Sequence, residues 1–226
     1  AVRDEKVKVL RCLRPLDPAD SVIGQYERGT FNGEPVPGYD DEVGRHSQAE
    51  TFVALQAHVD NWRWKGVPFY LRTGKRLPKR DTEIFIQFKP VPHDIFAGRG
   101  AVSRPNKLTI GLQPEETIRL ELMAKTPGLD RQAVRLREIP LDLGLANAFS
   151  EYRRRIAYER LLLDLTEGDP TLFVRRDEVE AQWAWIDQIR AGWAEAGVAP
   201  SPYEAGTWGP AEAMALAERD GVSWND

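Results

Sequence analysis

The sequence runs to 226 residues, long enough to bury a substantial core as one large domain or two small ones. Hydrophobic residues make up 42% and charged ones 29%; 31 Lys plus Arg against 35 Asp plus Glu leave a net charge of −4. That balance argues against a general nucleic-acid binder and leaves room for a local anion site. The single cysteine, Cys12, excludes an intrachain disulfide and fits a reducing, cytoplasmic compartment. No apolar run approaches the ~18 residues of a membrane span, and the opening AVRDEKVKVLRCL is too charged for a signal peptide. Its abrupt start suggests a piece of a longer chain, with Met removal before Ala as the plainer alternative.

Residues 3 to 14 are good helix formers closed by Pro15, although Val7 and Val9 also alternate as in a strand. SVIGQYERG (21–29) reads as a short strand, followed by a Gly/Pro/Asp-rich loop to about residue 47. In TFVALQAHVD (51–60) the period becomes two: Val53, Leu55, Ala57 and Val59 alternate with Phe52, Ala54, Gln56 and His58. The same alternation recurs in TEIFIQF (82–88), KLTIGLQ (107–113) and TIRLELM (117–123), and VRLREIPLDL (134–143) adds a strand whose Pro140 marks an edge or bulge.

From residue 149 the period is helical. Ala157, Tyr158, Leu161, Leu162 and Leu165 form one stripe ended by Gly168. Asp177 and Glu180 have the spacing of a capping box, before Val179, Trp183, Ile186, Ile189 and Trp193 at helical intervals. A short helix follows at about 210–220. Strands followed by helices predict an α+β fold: a large, mainly antiparallel sheet with helices packed on one face, residues 1–226 forming a single domain.

Catalytic candidates are few. His46, His58 and His93 have no metal-ligand spacing, and neither G-x-S-x-G nor a P-loop occurs. GRGAVS (98–103) lacks the third glycine of a dinucleotide fingerprint and neither follows a strand nor opens a helix. We therefore expect no catalytic, cofactor-binding or metal-binding residue in this sequence. Trp62 and Trp64 flank Arg63; core filling accounts for them more simply than stacking on a sugar. Arg153, Arg154 and Arg155 read as a solvated helix face rather than an anion site.

One stretch stands apart. GVPFYLRTGKRLPKRDTEIFIQF (66–88) gathers Arg72, Lys75, Arg76, Lys79 and Arg80 between two apolar runs. Val67, Phe69 and Leu71 prepare a buried strand, and Gly74 permits a sharp change of direction. Lys75 follows directly, and Arg80 comes five residues later, past Pro78. Such a loop can aim an ammonium and a guanidinium at one phosphate; on spacing alone, a solvated basic hairpin is an equal reading.

The sequence also resembles the C-terminal, β-rich domain of the glucose-6-phosphate dehydrogenase family. The words that carry this are VRDEKVKVLRCLRPL, GQYERG, VPGYDDE, ETFVAL…DNWRWKGVPFYLRTGKRLPKR, NKLTIGLQP, AYERLLLD, FVRRDEVEAQWAWID and YEAGTWGP, in order along nearly the whole chain. The resemblance implies the oxidation of glucose 6-phosphate to 6-phosphoglucono-δ-lactone in the oxidative pentose phosphate pathway, with hydride passing to NADP or, in some members, NAD. It implies that an N-terminal Rossmann domain, a histidine base and an R-x-D-H-Y-L-G-K motif lie upstream of the segment resembling Val2–Leu13. Carried over residue by residue, it leaves Lys75 and Arg80 as contacts to the sugar phosphate; other members place lysine at the latter position.

The resemblance further implies a homodimer, or a dimer of dimers, formed through the sheet, which the alternating faces of 107–123 would suit. Animal members also hold a structural NADP against this domain. Arg72 fits that site, but Asp81, Gly111 and Glu121 stand where cations are expected, so we expect no structural NADP. The partners expected are glucose 6-phosphate and a second copy, with neither nucleic acid nor membrane, and the sequence by itself is expected to be inactive. A stand-alone homodimerising or anion-binding module is the alternative.

Overall fold

The alternation of residues 51–60 does what its period demands: in the computed structural model it becomes a central strand with side chains entering two cores. The structure describes residues 2–93, 103–127, 136–144 and 157–225. Contacts gather the chain into two compact units, Ala1–Lys79 with Arg155–Asp226, and Arg80–Arg154. No linker composition marks the boundary, which falls inside the cationic stretch.

In the first unit, α1 (Val2–Arg11) ends before the expected residue 14 because the chain turns into sheet-like pairing. Leu13 bridges Val59, and the Arg14 and Asp60 amides donate to the carbonyls of His58 and Cys12 at 3.0 and 2.8 Å. The sheet uses β1 (Ser21–Glu27), β4 (Phe52–His58), β5 (Pro68–Gly74) and β10 (Ser201–Glu204), in the order β10-β1-β4-β5. β10 runs parallel to β1, and the other pairs are antiparallel. Inside the expected loop the chain forms a hairpin, β2 (Gly29–Phe31) with β3 (Glu34–Val36), and a short helix, α2 (Tyr39–Val43). Asn32 and Gly33, at φ 53° and 83°, provide the left-handed pair that a two-residue hairpin turn requires.

Helices cover this sheet on both faces. Phe52 and Ala54 of β4 pack with Tyr26, Tyr203 and, from α5 (Ala211–Glu218), Ala213 and Leu216. Leu55 and Ala57 point the other way, toward Ile23 and, from α4 (Arg176–Glu195), Ile189 and Trp193. The α+β class is as expected, but the one-sided helix packing is corrected: Phe52 and Ala54 on one side of β4 and Leu55 and Ala57 on the other are all buried, so each side needs a cover.

The helical segments differ from expectation in detail. The Asp177–Glu180 capping box does not form; Arg175 is the N-cap residue of α4, without a side-chain capping bond. Asp177 is instead held by the Arg175 guanidinium at 2.6 and 2.8 Å, and Arg175 also reaches Asp4 at 2.7 Å. In α3 (Ala157–Glu167) the apolar stripe points outward: Tyr158, Leu162 and Leu165 are exposed, while Asp164 is fully buried with Arg160 at 2.8 Å.

The second unit is an antiparallel sheet, β6 (Thr82–Gln87), β7 (Lys107–Gln113), β8 (Thr117–Lys125) and β9 (Leu136–Gly144), in sequence order. Register aligns Ile84 with Ile110, Ile110 with Ile118 and Ile118 with Leu143; one step along, Leu108, Leu120 and Leu141 continue the row. One face is therefore continuously apolar. The other carries Lys107 between Glu121 and Glu138 at 3.5 and 3.9 Å, and Arg119 on Asp142 at 2.6 Å.

Candidate functional site

The cationic stretch leaves β5 at Gly74, which pairs with Phe52 of β4. A Cβ at Gly74 would sit 2.8 Å from the Phe52 ring, so glycine is the residue that lets the two strands meet here. The backbones of the next two residues are each fixed by hydrogen bonds. The Lys75 amide donates to the Thr51 carbonyl at 2.8 Å, and the Lys75 carbonyl accepts the Tyr203 hydroxyl at 2.6 Å. The Arg76 carbonyl accepts the Gly206 amide at 2.7 Å. Arg76 takes φ 52°, a left-handed conformation that costs a non-glycine residue on the order of 1 kcal/mol and persists where the surroundings over-determine it.

Side chains brace the same turn. The Arg76 guanidinium donates to Glu42 of α2 at 2.6 Å, and the Tyr26 hydroxyl donates to the other Glu42 oxygen at 2.7 Å. The Tyr26 bond, followed by the Arg76 bond, holds the Glu42 carboxyl below its ordinary range. Burial, reinforced by Glu42, pushes the Tyr26 phenol up to about 12. At neutral pH Glu42 is thus an anion between two donors.

The five cations now separate. The Arg72 guanidinium lies between two indoles, 4.5 Å from the Trp208 ring and 4.7 Å from that of Trp224. Lys79 sits 5.4 Å from the Trp208 ring, and Arg76 is paired with Glu42. Lys75 and Arg80 are exposed, and among the described residues neither side chain forms an ion pair or hydrogen bond. Lys75, an exposed cation with a fixed backbone and an uncommitted head, can meet a phosphate at little cost in reorganisation. Lys75 belongs to the first unit and Arg80 opens the second; Arg76–Lys79 joins them in the chain.

Other sequence candidates fall as follows. Trp62 is fully exposed, whereas Trp64 is half-buried and packs edge-on against Phe69 at 5.3 Å, so neither ring lies in the buried core. Leu71, expected to be buried, is half-exposed because β5 is the edge strand. His46 pairs with Asp40 at 2.8 Å, His58 lies on β4 and His93 is exposed. Among the described residues no cluster of three or more His, Cys, Asp or Glu could hold a metal, and no helix is long and apolar enough to cross a membrane. Arg153–Arg155 and nearly all of GRGAVS lie outside the described residues. Of the acids expected to disfavour a structural nucleotide, Glu121 is tied to Lys107 at 3.5 Å and Asp81 is exposed.

Sequence reading missed Tyr203 and Glu42. SPYE is too short and proline-containing to show a strand period, and YDDE sits in a segment that reads as loop. Their only signal lay in the words YEAGTWGP and VPGYDDE.

The family model for the glucose-6-phosphate dehydrogenase C-terminal domain matches residues 1–225. A glucose-6-phosphate 1-dehydrogenase of Zymomonas mobilis is 61% identical over all of this chain and 47% of its own length. That of Mycolicibacterium smegmatis is 54% identical over all of this chain and 46% of its own. Among solved structures, a glucose-6-phosphate dehydrogenase in complex with its substrate glucose 6-phosphate superposes with TM-score 0.86 at 35% identity, over all of this chain and 45% of the other. The Mycobacterium avium glucose-6-phosphate 1-dehydrogenase gives TM-score 0.76 at 32% identity, over all of this chain and 44% of the other. The chain thus spans about half the length of the curated relatives it matches.

Proposed function

Because the chain belongs to the glucose-6-phosphate dehydrogenase family as its C-terminal domain, we propose that it supplies the phosphate grip and the self-association surface of such an enzyme. The reaction is the oxidation of glucose 6-phosphate to 6-phosphoglucono-δ-lactone with NADP, in the oxidative pentose phosphate pathway and in the cytoplasm. Lys75 and Arg80 hold the sugar phosphate. The observation that carries this is the sorting of the five cations: Arg72 and Lys79 lie against indole rings and Arg76 pairs with Glu42, whereas for Lys75 and Arg80, the two named by the family words, neither kind of contact is seen among the described residues.

The residues present do not fit a nucleotide. The chain has no dinucleotide fingerprint, Arg72 is packed between two indoles, and an acid stands at Glu121. No structural NADP binds here. What this chain does is hold and orient an anion. Gripping a phosphate equally in ground and transition states does not lower a barrier, so the chain by itself is inactive.

The apolar face of β6–β9 is the surface through which two copies meet. Ile84, Ile118, Ile139, Leu141 and Leu143 are exposed on it, a contiguous row of the kind that marks an interface. The test of the function is calorimetric titration of this chain with glucose 6-phosphate and with glucose. Binding of the phosphorylated sugar alone, lost in Lys75→Gln, supports the grip; equal binding of both sugars overturns it. Turnover above background with NADP and substrate would contradict the predicted inactivity.

A further inference from the structure

Resting on the phosphate-grip reading, we propose that Tyr203 is the positioning residue for Lys75: its hydroxyl, donated from β10 to the Lys75 carbonyl, fixes the direction in which the ammonium is presented. The two residues lie 128 positions apart in sequence, and the bond between them is 2.6 Å.

Three acceptors surround that hydroxyl: the Lys75 carbonyl at 2.6 Å, Thr51 Oγ1 at 3.3 Å and the Thr51 carbonyl at 3.4 Å. The phenol has one proton to give, and the short contact takes it. Thr51 Oγ1 already accepts the Tyr26 amide at 3.0 Å, so it is free to direct its own proton toward Tyr203 or the Gly24 carbonyl. Thr51 also receives the Lys75 amide through its carbonyl. Lys75 is therefore bracketed on both backbone faces by one Thr51–Tyr203 pair. Burial pushes the Tyr203 phenol up, which keeps it protonated and a donor at neutral pH.

The ring alone does not need this bond. It packs 5.5 Å from Phe52 and 6.4 Å from Tyr26, and a phenylalanine would fill the same space. What the hydroxyl adds is a fixed carbonyl at the root of the lysine. The neighbouring clamp is rigid as well: Gly206, at φ 91°, brings its amide to the Arg76 carbonyl, and a Cβ there would lie 2.0 Å from the Thr30 carbonyl oxygen. β10 and the loop after it thus hold two consecutive carbonyls of the cationic turn, while the Lys75 head projects into solvent.

The experiment titrates inorganic phosphate and glucose 6-phosphate into the full chain, following the amide resonances of Lys75 and Arg76, for the native protein and three variants. Tyr203→Phe is expected to weaken binding roughly 3- to 10-fold, the worth of one net hydrogen bond, and to shift the Arg76 amide before ligand is added. Ile189→Val, a core change of similar thermal cost on the opposite face of the sheet, is expected to leave both untouched. Native-like affinity in Tyr203→Phe, or an equal loss in Ile189→Val, overturns the positioning role while the grip stands. If Lys75→Gln binds phosphate as the native chain does, the grip itself fails and the inference falls with it.

Discussion

The two four-stranded sheets of this chain are built from the same alternating pattern and end in opposite conditions. In β10-β1-β4-β5, both faces are closed, by α4 and by α5. In β6–β9, ion pairs line one face, and the other leaves a row of Ile and Leu exposed, Leu141 by 53%. Alternation tells which residues share a face and says nothing of what covers it. The first sheet is a scaffold complete enough to hold a cationic turn by its backbone. The second has the composition of an interface.

The largest effect should come from the scaffold. Phe52→Ala removes a ring that touches Tyr203 and backs Gly74, and should cost ~3–5 kcal/mol by denaturant unfolding. A loss under ~1 kcal/mol would mean that the sheet is less closed than described. Leu141→Asp places a charge in the exposed apolar row; sedimentation should show dimers replaced by monomers with the unfolding midpoint of the first unit unchanged. Unaltered self-association would remove that face as the contact. Trp208→Ala takes away one indole beside Arg72 and should lower stability by about 1 kcal/mol, within the range for such contacts, with phosphate affinity little changed.

The smallest expected effect is a pH dependence. Glu42 is held below its ordinary value of 4.5 by Tyr26 and then Arg76. A depressed carboxyl stabilises the fold above its unfolded value, and that contribution is lost as pH falls through its lowered folded value. Stability should therefore decline more below pH 4.5 in the native chain than in Glu42→Gln. Parallel acid profiles would show that the Glu42 bridge does not brace the turn.

Much of this was legible in the sequence, and the gaps have physical causes. The strands at 51–60, 82–88, 107–113 and 117–123 all form, because period two is a strong signal over six or more residues. β10 escaped notice because four residues carry no period, and its parallel pairing with β1 depends on a partner about 180 residues away in sequence. Helix α3 showed its stripe correctly, yet the stripe faces outward, since a hydrophobic period cannot say which neighbour is present. At the candidate site, Lys75 and Arg80 are proposed on the strength of their words, and the structure adds what holds the turn around Lys75. The bonds from Tyr203 and Glu42 were not legible, because they join residues that only the folded sheet brings together.

The central claim is that a turn locked by its backbone presents Lys75 to a phosphoryl group, and the most direct measurement is the affinity of the chain for glucose 6-phosphate before and after Lys75→Gln. The account predicts a loss of roughly 10- to 100-fold, the worth of one charge-assisted bond, with the unfolding midpoint unmoved. Undiminished affinity in a folded Lys75→Gln protein would contradict it.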